Sequence, residues 1–392
     1  PGLGSCEEGS SCWFVTVGEL NQSCFPNQQD FAPCGSGIGG CAYAVAYDSS
    51  KKQTECYDGS GITPGLALPN MFTLEENRIS SEGLYGWPKT KDDAAETGFL
   101  SIAVPGSVAA LGKLHENAGS MPWRELFKPA IELASEGYPV DDYFFVNTSA
   151  SLKRLAPFQN TLSTFFGSGN TAQMPSMNPN IPNLVKQPDL SKTLETLAEE
   201  GPNSFYSGSI AKTITSYVCQ HGGILQNNDL ENYCAKVISP LQCFYRGHRI
   251  MTLPDASGGP TVVSTLSLLA GFEVPQIKHE AISSQHIIAE ALRLAFNDRF
   301  HFLGDQDSTP IPFNSLLSEE YLSERRKLIA PSGPAITALT TGNPSNHANS
   351  TLINNPGSGD ASGQHTTHIN VIDSNRNMVA LTATLGARFG SG

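Results

Sequence analysis

Charge is scarce in this chain of 392 residues, and cationic charge scarcest: 16% of residues are charged, with 24 Lys plus Arg against 37 Asp plus Glu and a formal net charge of −13. No run of Lys or Arg stands out, which excludes electrostatic binding of nucleic acid as the organising function. Long apolar runs are missing too. Stretches such as 262–272 are broken by Ser and Gly and fall short of the roughly 20 residues a membrane-spanning helix needs. Neither an initiator Met nor a basic and apolar leader precedes Pro1, so a processed or truncated start is expected. No Cys-x-x-Cys, His-Glu-x-x-His or Gly-x-Ser-x-Gly pattern occurs, and no Lys-Ser/Thr follows the glycines of 255–259. A metal centre, an α/β-hydrolase elbow and a phosphate cradle therefore lack their signatures, and no cofactor is expected.

What is present is a folded composition, 39% hydrophobic, long enough for one large domain or two to three smaller ones. Six of the nine cysteines fall within the first 56 residues: Cys6, Cys12, Cys24, Cys34, Cys41 and Cys56. Their closest spacings are six and seven, which suits disulfides better than zinc. With Asn-x-Ser/Thr acceptors at Asn21, Asn147 and Asn349, the cysteines point to a secreted, extracellular or vacuolar glycoprotein. Cys219, Cys234 and Cys243 form a later cluster that leaves at least one thiol unpaired.

Residues 1–36 show no periodicity and read as an irregular, Cys-rich segment. Alternation from Tyr43 to Asp48 and from Gln53 to Asp58, across a polar turn, predicts a hairpin. Helical spacing then appears over 107–116, 122–136, 191–200, 209–219, 261–269 and 286–296, with a strand at 249–253. Residues 337–365 are dense in Thr, Asn, Ser, Pro and Gly and read as a long mobile loop. His286 and Glu290 read as a surface pair, His365 and His368 as polar loop and strand residues, and 255–259 as a turn lining a pocket.

After the loop, T-T-H-I-N-V-I-D from Thr366 and M-V-A-L-T-A-T-L from Met378 predict a second hairpin turning at 374–377. In this register Thr366 faces Thr384 and His368 faces Thr382, with partner Cβ atoms roughly 5 Å apart. Thr367, Ile369, Val371, Val379, Leu381, Ala383 and Leu385 then share the apolar side, while Thr366, His368, Asn370, Thr382 and Thr384 share the polar one. Two readings of that polar face stand side by side. It is a solvated edge, or it is a site in which the Thr366 hydroxyl attacks the preceding carbonyl, cuts the chain and leaves an α-amine, titrating near ~8, as its base.

The second reading meets a family. The chain resembles gamma-glutamyltranspeptidases of the N-terminal-nucleophile hydrolase superfamily in Gly37-Ile38-Gly39-Gly40, in G-F-L-S-I-A-V-P-G-S from Gly98, and in M-P-W-R-E-L-F-K-P-A-I-E-L-A from Met121. E-T-L-A-E-E-G from Glu195, F-Y-S-G-S from Phe205, G-G-I-L from Gly222 with Asp229-Leu230, P-D-A-S-G-G from Pro254, and the T-T-H strand continue it. The resemblance implies an α+β fold, a four-layer αββα sandwich, here cut short after the first hairpin of the small subunit. Residues 37–365 would form the large-subunit region and 366–392 the start of the small one. It also implies a precursor that cuts itself between His365 and Thr366, with Thr366 as nucleophile and Thr384 bonded to it. Glutathione or another γ-glutamyl amide would donate the acyl group, and water or an amino acid or dipeptide would accept it.

Two positions depart from the family pattern in the substrate-binding region. Ser60-Gly61 stands where the resemblance implies an Arg-Glu pair, whose arginine holds a carboxylate with a charged hydrogen bond worth roughly 1.5–3 kcal/mol. Arg78 is the nearest substitute in sequence, and Gly386 replaces an asparagine beside the second threonine. These departures keep open a non-catalytic secreted relative and a threonine amidohydrolase acting on a non-glutamyl acyl amide.

Overall fold

The computed structural model describes residues 34–79, 88–178, 180–254, 257–273, 282–305, 307, 311–331, 333, 336, 339, 342–344 and 364–392. Most of the Cys-rich segment and most of the 337–365 loop lie outside them, as do Asn21 and Asn349. The principal strands in chain order are β1 (Cys41–Asp48), β2 (Gln53–Gly59), β3 (Lys236–Ile238), β4 (Leu241–Tyr245), β5 (His248–Thr252), β6 (Gln364–Ile372) and β7 (Met378–Ala387). The principal helices are α1 (Ser107–Ala118), α2 (Lys128–Glu136), α3 (Asp142–Leu155), α4 (Pro188–Glu200), α5 (Ser209–Gln220), α6 (Gly259–Leu269), α7 (Ile282–Phe302) and α8 (Glu319–Arg326). None of the described helices is long and apolar enough to cross a membrane.

Two compact units emerge. The first holds the described residues as far as Val237, apart from 54–56, together with those from β6 onwards; the second holds 54–56 and the described part of 238–355. The first unit is organised by a five-stranded sheet in the order β6-β7-β1-β2-β3. Along β1 the alternation C-A-Y-A-V-A-Y-D turns Ala42, Ala44 and Ala46 into the core and leaves Cys41, Tyr43, Val45 and Tyr47 on the opposite face. Val379, Leu381 and Ala383 of β7 continue the inward face, against Val108, Leu111 and Leu114 of α1, Leu194 and Leu197 of α4, and Val218 of α5. Small residues set the spacing. A Cβ on Gly59 would lie 2.7 Å from Ala110 Cβ and 2.6 Å from the Gly106 carbonyl oxygen, so glycine is what lets α1 settle onto the sheet.

The second unit pairs β4 with β5 through a tight turn in which Arg246 (φ 49°) and Gly247 (φ 82°) both lie in the left-handed region, the geometry of a two-residue hairpin. Leu268 and Leu269 of α6, Ile287, Ala291 and Leu294 of α7, and Leu322 of α8 form its core. Inside it Arg325 Nη2 donates to Asp298 Oδ1 at 2.7 Å, with both side chains less than a tenth exposed.

Three expectations need correction here. The helix expected over 122–136 is interrupted at Phe127, giving Trp123–Leu126 and then α2, because Pro129 in the first turn of α2 has no N–H to bond back to residue 125. Glu290 is not at the surface: it is buried, takes a hydrogen bond from Arg293 at 2.7 Å and accepts from the Ile336 N–H at 3.0 Å, while His286 instead contacts the Ala330 carbonyl. The bridging expected of the cysteines does not extend to the described ones. Cys34, Cys41, Cys219, Cys234 and Cys243 are free thiols, and the Cys56 thiol donates to the Thr252 carbonyl at 3.6 Å.

Candidate active site

The polar face predicted for the second hairpin forms. β6 and β7 pair in the expected register from Thr366↔Thr384 through His368↔Thr382 to Ile372↔Met378. The register slips between His365 and Thr366: His365 pairs with Gly386, so Leu385 is an extra residue on β7 opposite the peptide bond proposed for cutting. That bulge is held rather than loose. Leu385 N–H donates to the Gly35 carbonyl at 2.9 Å, and Gly386 N–H turns back to Thr384 Oγ1 at 2.9 Å. Gly386 has φ +83°, a left-handed conformation open to glycine and tolerated by asparagine, so glycine in place of the implied asparagine keeps the backbone and removes an amide.

Thr384 Oγ1 is thus the focus of two donors, Gly386 N–H and the Thr366 hydroxyl, the latter at 3.2 Å. Behind Thr366, on the inner face, the Thr367 hydroxyl is bonded at 2.9 Å to Ser36, whose side chain is buried. On the next rung His368 Nδ1 contacts Thr382 Oγ1 at 2.6 Å and Nε2 contacts Asn370 Oδ1 at 3.2 Å. The Gly37–Gly40 turn supports β7 from below: Gly40 N–H bonds the Gly37 carbonyl at 3.1 Å, and the Gly40 carbonyl accepts from Gly106 and Ser107 at the start of α1.

Antiparallel pairing of β1 with β7 carries the face further, since Cys41 is the partner of Thr384 and Tyr43 the partner of Thr382. Cys41 Sγ accepts from the Gly61 N–H at 3.1 Å, which brings Ser60-Gly61 onto the same side of the sheet. Ser60 donates to Asp58 Oδ1 from its backbone N–H at 2.9 Å and its hydroxyl at 2.6 Å, lies 3.5 Å from the Tyr43 hydroxyl, and receives the Tyr233 hydroxyl on its carbonyl at 2.8 Å. Burial pushes the Cys41 thiol up, with the Gly61 N–H partly offsetting it. Burial also pushes the Tyr43 and Tyr233 phenols well above the ordinary tyrosine range, so both are neutral donors at any physiological pH.

The structure therefore gathers Thr366, Thr384, Gly386 and Ser60 on one face. Asn147 is elsewhere, on α3, 4% exposed with its amide donating to the Tyr143 carbonyl, a position closed to a glycan in the folded chain. Asn21, Asn349, Asp255 and Ala256 lie outside the described residues, as do the side chains of His365 and Arg78. Sequence reasoning missed Cys41, Tyr43, Asp58 and Tyr233. Tyr43 and Asp58 sit in the predicted first hairpin and Cys41 two residues before it, but nothing local says that this strand joins β7.

The family model for gamma-glutamyltranspeptidase matches residues 31–392. The chain belongs to the gamma-glutamyltranspeptidase family. It is 30% identical over 370 residues to a glutathione hydrolase proenzyme of Bacillus subtilis, covering 92% of this chain and 59% of that protein. It is 28% identical over 339 residues to the acylase ACY 1 proenzyme of a Pseudomonas strain, covering 85% of this chain and 55% of that one. The crystal structure of Helicobacter pylori gamma-glutamyltranspeptidase superposes with a TM-score of 0.68 at 27% identity, covering 76% of this chain and 80% of the other. The chain thus spans less than two thirds of the length of these curated relatives. Its mixed α and β architecture is that of the N-terminal-nucleophile hydrolases in this family.

Proposed function

We propose that this protein is a self-cutting glutathione hydrolase or γ-glutamyl transferase precursor on a four-layer αββα scaffold, with Thr366 as its nucleophile. One observation carries the reading: the Thr366 hydroxyl is aimed at Thr384 Oγ1, 3.2 Å away, directly beside a β-bulge that faces the 365–366 peptide bond. In the cut, Thr366 Oγ bonds to the His365 carbonyl carbon, its proton passes to the departing Thr366 nitrogen, and water then hydrolyses the ester, leaving a carboxylate on His365 and a free hydroxyl and α-amine on Thr366. The amine, titrating near ~8, then takes the hydroxyl proton as Thr366 attacks the donor amide. The donor's amine leaves with that proton, and the acyl ester passes to water or to the amine of an amino acid or dipeptide. Glutathione and other γ-glutamyl amides are the proposed donors, supported by the naming of the relatives, and an extracellular or vacuolar setting is proposed with them.

Intact-mass measurement of the full-length protein tests this. Two chains parting between His365 and Thr366 are expected, with Thr366→Ala uncut and Thr366→Ser cut more slowly because a hydroxyl remains. Normal cutting by Thr366→Ala, or a single uncut chain in the wild type, sinks the proposal and leaves a non-catalytic relative.

A further inference from the structure

Gln364 and His365, the two residues before the proposed cut, already belong to β6. They pair with Ala387 and Gly386 of β7, on the far side of the bulge from the Thr366↔Thr384 rung. A cut before Thr366 therefore severs a strand, leaving Thr366 at the head of what remains. Two paired residues are too few to hold a cut end by themselves, so the β7 edge at Gly386 and Ala387 becomes a place that main chain has filled and then vacates.

That edge keeps its shape without them. Leu385 N–H bonds the Gly35 carbonyl at 2.9 Å, Phe389 N–H the Cys34 carbonyl at 2.7 Å, and Gly390 N–H the Ala387 carbonyl at 3.0 Å. Arg154 Nη1 donates to the Gly390 carbonyl at 2.9 Å, and the Phe389 ring is buried. The approach to it is open. Gly386 is exposed, and a Cβ there would meet nothing within 4 Å among the described residues, so an arriving chain meets bare backbone. Glycine in place of the implied asparagine keeps that approach clear, and serine at position 60 supplies no guanidinium to confine the acyl group to one with a free carboxylate.

The carbonyl attacked in the cut is that of His365, and the carbonyl of a donor has to reach the same Thr366 oxygen, to the roughly 3–3.5 Å of a reacting pair. The acyl side of the donor then runs where Gln364 and His365 ran. We propose that the Gly386–Ala387 edge, freed by the cut, takes the acyl side of a peptide donor as an added strand, so that the protein transfers peptidyl groups recognised through their main chain. The proposal rests on Thr366 being the nucleophile. In the transfer the peptide carbonyl carbon bonds to Thr366 Oγ while its bond to the departing amine breaks. The hydroxyl proton leaves with that amine by way of the Thr366 α-amine, and water returns the ester to a peptide carboxylate and a free hydroxyl.

Four p-nitroanilides test this in cut, full-length protein: γ-glutamyl, acetyl-His, acetyl-Gln-His, and acetyl-Gln-His methylated on both main-chain nitrogens. The second residue is expected to raise kcat/KM about tenfold over acetyl-His, chiefly through KM, and methylation to cancel the gain. Gly386→Asn, which fills the open approach at a φ that asparagine tolerates, should bring the ratio to about unity; thermal unfolding shows whether it folds, and the methylated anilide carries the test without it. Equal use of acetyl-His and acetyl-Gln-His, a gain that survives methylation, or a folded Gly386→Asn that keeps it overturns the proposal. Turnover of the γ-glutamyl anilide alone overturns the peptide edge and leaves the nucleophile standing. If the protein cuts itself yet turns over none of the four, fluorescein-labelled Gly-Gln-His decides by anisotropy. It should bind the cut protein and not uncut Thr366→Ala, whose edge is filled by its own chain, and binding to both or to neither refutes the edge. A wild type that stays uncut by intact mass sinks the nucleophile and the edge together.

Discussion

Gly40→Ala is a sharp test of how the Gly-rich turn serves the threonines. A Cβ at Gly40 would lie 2.2 Å from the Thr384 carbonyl oxygen, 3.0 Å from its carbon and 3.1 Å from Leu385 Cδ2. The obstacle is backbone, so no rotamer change relieves it. The turn itself is pinned, by Gly40 N–H on Gly37 and by Gly106 and Ser107 N–H on the Gly40 carbonyl, so β7 must retreat, by about 1 Å, with the usual overpacking cost of roughly 1–3 kcal/mol. For a unit of this size each kcal/mol lowers Tm by about 2–4 °C. The chemical consequence is larger. The Thr366–Thr384 contact of 3.2 Å has no slack, and a displacement near 1 Å in a reacting constellation costs on the order of 100-fold in rate. Cutting followed by gel or mass spectrometry over time, beside thermal unfolding, reads both. Gly39→Ala is the control, since a Cβ there meets nothing within 4 Å and should change neither. Wild-type cutting and Tm in Gly40→Ala would refute this account of the turn.

Further outcomes follow from other parts of the chain. Ser60→Arg with Gly61→Glu should lower KM for γ-glutamyl p-nitroanilide about tenfold, as ~1.4 kcal/mol gives; tight binding by the wild type that the double change harms would mean another residue holds the carboxylate. Free-thiol labelling of the folded protein should modify exposed Cys219 and Cys234 first and spare buried Cys34 until unfolding, and protection of Cys219 and Cys234 would restore the bridging argument for this cluster. In the second unit, burial outweighs Arg325 and raises the Asp298 carboxyl from 3.8 to about 6. The folded state therefore binds this proton more tightly than the unfolded chain, and the group's contribution to stability, full below pH ~4, declines as pH rises through about 6. Denaturant titrations of wild type and Asp298→Asn across that window should converge in slope only outside it; parallel curves throughout would contradict the assignment.

Much of the site was legible because it is local. The register of the β6–β7 hairpin follows from alternation and turn length alone: with one face apolar, a one-residue slip would bury Thr366 and His368 and expose Val379 and Leu381. The same pattern located α1, α4 and α5 to within a few residues, since their apolar faces repeat at helical spacing. Family segments such as T-T-H-I-N-V-I-D and Gly37–Gly40 identified the nucleophile candidate before any packing was known.

Tertiary structure decided what lies beside that hairpin. The bulge at Leu385 depends on the Gly35 carbonyl, and the reach of the face to Cys41, Tyr43 and Asp58 depends on β1 pairing with β7 across more than three hundred residues of chain. Strand neighbours of that separation are chosen by the fit of whole faces, here Ala42, Ala44 and Ala46 matched to Val379, Leu381 and Ala383, and by glycines small enough for close approach. Glu290 shows the same limit from the other side. Its place on an amphipathic helix suggested solvent, and only the fold brought Arg293 and the Ile336 N–H to satisfy the carboxylate and let it be buried.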